Sequence, residues 1–160
     1  MDPNLCLMEY TEGGIELMAA ASQVRDCGLA RVLLVDDDPT SRLTLKTVLE
    51  TCGYKVDSAA SAAEAVEMLE EGDYALVLSD LQMESPRAGL KVLAHAKMMD
   101  YKPATALITA YHDSHAVPED WPKSLLIEPE DIQGLLTKVA SLISERATRR
   151  LRREMVLAGV

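Results

Sequence analysis

Tyr74-Ala75-Leu76-Val77-Leu78-Ser79-Asp80 is a short apolar run that stops at a single carboxylate. It is too short for a core helix and has the length of a buried parallel strand. Asp80 therefore falls at the C-terminal end of that strand. In an open α/β sheet this is the edge where ligands bind. Asp80 is read as a nucleophile, and the rest of the chain as what holds and charges it.

The surrounding pattern supports that placement. Arg31 to Val35 reads as a second buried strand and ends in Asp36-Asp37-Asp38, with Pro39 suited to a first helical turn. Leu43, Leu45, Val48 and Leu49 give the following helix an apolar face, and Gly53 stops it. Tyr54 to Ser58 is a strand. Ser61 with Glu64 three residues on forms a capping box, and Ala62, Ala65, Val66 and Leu69 face inward behind it. Leu90 to Met99 is a helix, and Ala104 to Ile108 is a strand ending in Thr109-Ala110. Ser124 to Ile127 is a strand ending in Glu128-Pro129. A last helix from near Glu130 carries the stripe Ile132, Leu135, Leu136, Val139, Leu142 and Ile143. Alternation of this kind specifies a parallel sheet with helices on both faces.

The chain has 160 residues, enough for one domain with some extra length, and 48% of them are apolar, enough for a real core without any phenylalanine. The boundaries expected are an N-terminal extension over 1–30, helical between Ile15 and Cys27, an α/β domain over 31–145, and a basic helical tail over 146–160. No run approaches the roughly 18 apolar residues of a membrane span, and the N-terminus lacks the basic-then-apolar pattern of a signal peptide. Cys6, Cys27 and Cys52 fit neither a disulfide framework nor a zinc site. A cytoplasmic location is the expectation. The net charge is −10, yet the tail carries Arg146, Arg149, Arg150, Arg152 and Arg153 against Glu154. The acidic body repels nucleic acid. The tail lacks a helix-turn-helix pair and interleaved aromatics, so a protein contact is favoured there over nucleic acid.

Three strands end in polar groups: Asp36 with Asp37, Asp80, and Thr109. Parallel strands bring such ends together. Three carboxylates that close do not all stay ionised and unpaired. A hard divalent cation resolves the repulsion, and oxygen ligands with retained waters suit Mg2+. A carboxylate nucleophile, a metal and a hydroxyl are the parts for forming an aspartyl phosphate. Each part alone has a plain reading: an acid run after a strand is usually a solvated turn or a helix cap, and Asp38 is expected to cap.

Val32 to Ile143 resembles the receiver domain of two-component response regulators (CheY-like). The matching residues are Leu34-Val35-Asp36-Asp37-Asp38-Pro39 with Arg42, then Leu78-Ser79-Asp80-Leu81-Gln82-Met83, then Ile108-Thr109-Ala110. The resemblance implies a flavodoxin-like, doubly wound, five-stranded parallel sheet in the order 2-1-3-4-5. It implies that Asp80 accepts a phosphoryl group from a histidine kinase or phosphotransfer protein. It also implies that Asp37 and Asp80 bind Mg2+ directly, that Asp36 helps through water, that the backbone carbonyl of Gln82 is a further ligand, and that Thr109 is the switch hydroxyl. Such a protein is a phosphorelay component and not a dedicated enzyme.

The sequence departs from that pattern in places. Glu128 stands where receivers have a lysine before proline, and Lys123 lies five residues earlier. The aromatic switch position is Leu125. Met83-Glu84 replaces the usual Met-Pro, Pro86 is shifted and Gly89 falls one residue late. Tyr111 to Lys123 is short and holds Pro118 and Pro122, which cuts down the helix expected there. The expectation is a stand-alone receiver with an altered switch that signals by contact with a downstream protein, and the tail is a candidate dimer or partner helix. Two alternatives stand beside it: a pseudo-receiver interaction module that never phosphorylates, and a haloacid-dehalogenase-like phosphatase in which Asp36 is the nucleophile and Asp38 the general acid.

Overall fold

The structure, a computed structural model, describes residues 29–109, 119, 126–127 and 132–159. The elements are β1 (Leu29–Val35), α1 (Pro39–Thr51), β2 (Tyr54–Ala59), α2 (Ala62–Glu71), β3 (Leu76–Asp80), α3 (Ala88–Met98), β4 (Ala104–Ile108), β5 (Leu126–Ile127) and α4 (Ile132–Leu157). Residues 1–28 of the expected N-terminal extension, including the helix expected over Ile15 to Cys27, lie outside the described residues, while Leu29 and Ala30 belong to β1, which starts two residues before the Arg31 expected. So do Tyr111 to Pro118, where the shortened helix was expected.

The strands pair in parallel in the order β2-β1-β3-β4, with the two-residue β5 beside β4. The apolar runs of β1, β3 and β4 are explained by this arrangement, because helices cover both faces. Alternate residues of β1 feed two separate cores. Val32 and Leu34 join Leu45, Leu49, Leu76, Leu78, Leu135 and Val139 on the α1 and α4 side. Leu33 and Val35 join Ala65, Leu69, Val77, Val92 and Leu93 on the α2 and α3 side.

Helix ends follow local chemistry. Asp38 caps α1 by accepting from the Ser41 N–H at 2.9 Å. At its far end Gly53 takes a φ of 96°, a left-handed turn that a side chain would resist. Ser61 caps α2 through the Glu64 N–H at 3.2 Å. Glu64 completes the box one residue further back than expected, on the Ala60 N–H at 2.8 Å.

Two members of the expected apolar faces do not face the core. Leu43 is 67% exposed and Ile132 49%. Leu43 lies two residues before Leu45, and two residues turn an α-helix by about 200°, so the pair cannot share one face. Ile132 is the first residue of α4, whose buried residues begin one turn later at Leu135.

α4 runs for 26 residues and crosses 145–146 without a break. Arg146 holds it to the body. Its Nη2 donates to the Tyr101 carbonyl at 2.7 Å and its Nε to the Lys102 carbonyl at 3.0 Å. Lys102 has a φ of 43°, an uncommon backbone state that these contacts help to hold. From Ala147 to Gly159 every residue is exposed. Arg146→Ala is expected to lower stability by about 1–3 kcal/mol, because two charge-assisted hydrogen bonds are lost from a half-buried site. Urea unfolding should show a lower midpoint with an unchanged slope. Among the described residues, no helix is long and apolar enough to cross a membrane.

Candidate functional site

The register of the sheet decides what meets at its C-terminal edge. Val35 pairs with Ser79, so Asp36 stands level with Asp80 on the next strand. Asp80 pairs with Ile108, so Thr109 comes one step beyond it on the other side. Adjacent strands lie about 4.8 Å apart. The result is a cluster in which Asp36, Asp37 and Asp80 each offer a carboxylate oxygen within 4.8 Å of the others. Asp36 is buried, Asp80 is half-buried and Asp37 is exposed, so the cluster opens outward through Asp37. Thr109 is buried at the rim of the same edge.

The loop after β1 is built to hold Asp36. Its Oδ1 accepts from the Asp38 N–H at 2.9 Å, and its backbone N–H donates to the Ala59 carbonyl at 3.1 Å. Arg42, one turn into α1, donates from Nη1 to the Asp36 carbonyl at 2.7 Å. Arg42 therefore fixes backbone, and its charge lies beside the acidic group. On the other strand, Ser79 Oγ donates to the Asp80 carbonyl at 3.0 Å, and the Leu81 N–H donates to the Ile108 carbonyl at 3.2 Å.

The Asp80 carboxyl is pushed up to about 6. Burial is the main cause, followed by the negative charge of Asp36 and, more weakly, of Asp37. Backbone hydrogen bonds from Gln82 and Leu81 pull the other way by favouring the carboxylate. An oxygen-only donor set that resists holding its full charge is what a hard divalent cation relieves, so these residues fit Mg2+. Gln82 lies on the exposed loop two residues after Asp80.

Several residues here were not singled out in the sequence as site-builders. Ser79 and Arg42 act through backbone carbonyls, which no side-chain pattern announces. Glu84 Oε1 accepts from the Ala62 N–H of α2 at 2.9 Å, a contact between residues 22 apart in the chain. Glu128, Leu125 and Lys123, the positions that set the switch apart, lie outside the described residues. Asp38 caps α1 as expected, accepting the Ser41 N–H on Oδ2.

Three carboxylates and a hydroxyl gathered at the C-terminal edge of a parallel sheet place this chain among the open α/β proteins whose site lies at that edge. The match to known proteins is narrower. The model of the response regulator receiver domain matches residues 32–120, more than half of the chain, and the chain belongs to that family. It is 42% identical over 67 residues to the two-component response regulator ARR11 of Arabidopsis thaliana, covering 41% of this chain and 13% of that protein. It is 30% identical over 121 residues to the transcriptional regulatory protein GlrR of Escherichia coli, covering 74% of this chain and 27% of that protein. Among solved structures it resembles the response regulator TrrA of Thermotoga maritima in complex with Mg2+ and BeF. That likeness has 30% identity and a TM-score of 0.58, covering 71% of this chain and 99% of that one. The chain thus spans about a quarter or less of the length of these two curated relatives.

Proposed function

We propose that this chain is a phosphorelay receiver that accepts a phosphoryl group on Asp80, with Mg2+ held by Asp36, Asp37, Asp80 and the backbone carbonyl of Gln82. The convergence of Asp36, Asp37 and Asp80 within 4.8 Å, beside Thr109, carries this reading. The TrrA complex with Mg2+ and BeF supports the choice of metal.

A carboxylate oxygen of Asp80 attacks the phosphorus of a phosphohistidine in a histidine kinase or phosphotransfer protein. The new O–P bond makes a mixed anhydride, and the P–N bond breaks. The departing imidazole keeps the electron pair and takes up a proton. A carboxyl with its proton affinity centred near 6 is mostly ionised at neutral pH, as a nucleophile must be. When bound, Mg2+ neutralises charge between the carboxylates and the incoming phosphoryl group. Arg42 and the Asp38 N–H keep Asp36 in place, and the Thr109 hydroxyl donates to the new phosphoryl oxygens.

Readout is the altered part. Glu128 puts a negative charge where receivers have a lysine, and Leu125 replaces the switch aromatic. The protein then acts in the cytoplasm as a signalling component, not a dedicated enzyme, through contact with a downstream protein. The exposed end of α4, with Leu151, Met155 and Val156 among arginines, is the surface offered to that partner or to a second copy.

Acetyl phosphate with Mg2+ should add one phosphoryl group by intact mass to the native chain and none to Asp80→Asn. Absence of the adduct on a folded native chain would refute the proposal and favour a docking module that never phosphorylates.

A further inference from the structure

The loop after Asp80 is fastened to a helix that contributes no carboxylate to the site. Ala62 is the first residue of α2, and its N–H is one of the helix-start amides without an acceptor inside the helix. The capping box does not serve it: Ser61 serves the Glu64 N–H and Glu64 serves the Ala60 N–H. Glu84 takes this Ala62 amide at 2.9 Å, where a negative charge also matches the helix dipole. Inside the loop the backbone is tied to itself, from the Met83 N–H to the Ser85 carbonyl at 3.3 Å and from the Gly89 N–H to the Leu81 carbonyl at 3.1 Å. At the other end of the same turn, Ala59 accepts from the Asp36 N–H at 3.1 Å. The segment from Ala59 to Ala62 therefore touches both loops that supply the acidic cluster: the one holding Asp36 directly, and the one following Asp80 through Glu84.

We infer that Glu84 is a positioning residue for the acceptor loop. Acting through Ala62, its carboxylate oxygen fixes the backbone from Leu81 to Ser85, and with it the Asp80 carboxylate and the Gln82 peptide relative to Asp36 and Asp37. In a loop so short, the side-chain tie supplies restraint that Met83-Pro would have supplied through the proline ring. The inference rests on the proposed phosphoacceptor role of Asp80 and specifies what keeps that site in register.

The test compares the native chain with Glu84→Ala and Glu84→Gln. Glutamine keeps an oxygen acceptor but loses the charge, whereas alanine loses both. Two readouts are followed: the Mg2+ concentration that half-saturates the rise in unfolding midpoint, and the rate of acetyl phosphate labelling at saturating Mg2+. Glu84→Ala should need about tenfold more Mg2+ and label correspondingly more slowly, the scale seen when a group supporting metal ligands is removed. Glu84→Gln should stay within about twofold of the native chain. Hydrogen exchange at residues 81–85 should quicken in Glu84→Ala alone. Equal losses in both variants would overturn the inference, since long-range charge would then account for them. A lower midpoint in Glu84→Ala with unchanged Mg2+ dependence would also overturn it, leaving Glu84 as a helix cap and nothing more. If the native chain takes no label, the proposed function fails, while the Mg2+ midpoints still read the role of Glu84.

Discussion

Gly89→Ala is expected to lose about 3 kcal/mol or more of stability and to slow phosphoryl acceptance in whatever fraction still folds. Gly89 is buried in the first turn of α3, directly against the strand end that carries Asp80. A Cβ there would meet the Asp80 carbonyl oxygen at 2.1 Å, the Leu81 Cα at 2.8 Å and the Asp80 carbonyl carbon at 2.9 Å. All three are backbone atoms, so no rotamer change makes room. Either α3 or the acceptor loop must move, and both are packed into the α2 and α3 core through Leu81, Val92 and Leu93. Thermal unfolding should show a large fall in midpoint. Gly159→Ala is the contrasting case: a Cβ there would meet nothing within 4 Å, and the strain of its φ of 73° falls on the exposed residue beyond the end of α4, so its midpoint should fall far less. A native-like midpoint for Gly89→Ala would show that the helix and strand end are not locked together as described.

Asp80→Asn is expected to make the metal-free protein more stable at neutral pH and to remove its response to Mg2+. The Asp80 carboxyl is pushed up to about 6 by burial and by Asp36, so the folded state binds its proton more tightly than the unfolded chain does. Its contribution to stability is fully present below the ordinary carboxylate range near 4 and is lost as pH rises through about 6. A shift of this size, reduced for partial solvent screening, amounts to on the order of 1–2 kcal/mol. In EDTA, the midpoint of Asp80→Asn minus that of the native chain should therefore be positive at pH 7.5 and shrink toward pH 5. Carboxylates remote from the cluster titrate over the same range, and the subtraction removes them, so the difference reads Asp80 together with its coupling to Asp36 and Asp37. Adding Mg2+ at pH 7.5 should raise the native midpoint, since a cation that binds only the folded state stabilises it by mass action. It should raise that of the variant little, because one of the three clustered carboxylates is gone. A pH-independent difference would mean that Asp80 carries no electrostatic cost in the fold.

The parts written in local chemistry were legible in the chain. Asp38 and Ser61 could be read as caps because a short oxygen-bearing side chain before a helical run satisfies that helix's own first amides. Gly53 could be read as a stop because glycine tolerates the left-handed turn it adopts. Even the acidic cluster was legible, although its members are far apart in sequence. Parallel strands all point their C-terminal ends the same way, so polar groups at strand ends are brought to one edge by topology alone.

Other features depend on which backbone lies opposite which side chain, and no spacing in the sequence encodes that. Leu43 satisfied a loose apolar pattern, yet the angle between it and Leu45 put it in solvent. Gly89 read as a glycine one residue out of place; its need to be glycine comes from the approach of α3 to the Asp80 peptide. Glu84 read as a departure from a motif, and its partner is an amide 22 residues away. Arg146 read as the first residue of a basic tail, but two carbonyls at the end of the α3–β4 connection hold it to the body. The sequence by itself determined the elements, their alternation and the acids at the strand ends, because periodicity and capping act over a few residues. Tertiary structure alone decided how closely the acceptor loop is held and where the last helix leaves the domain, because those depend on distances between backbones that the chain brings together only when folded.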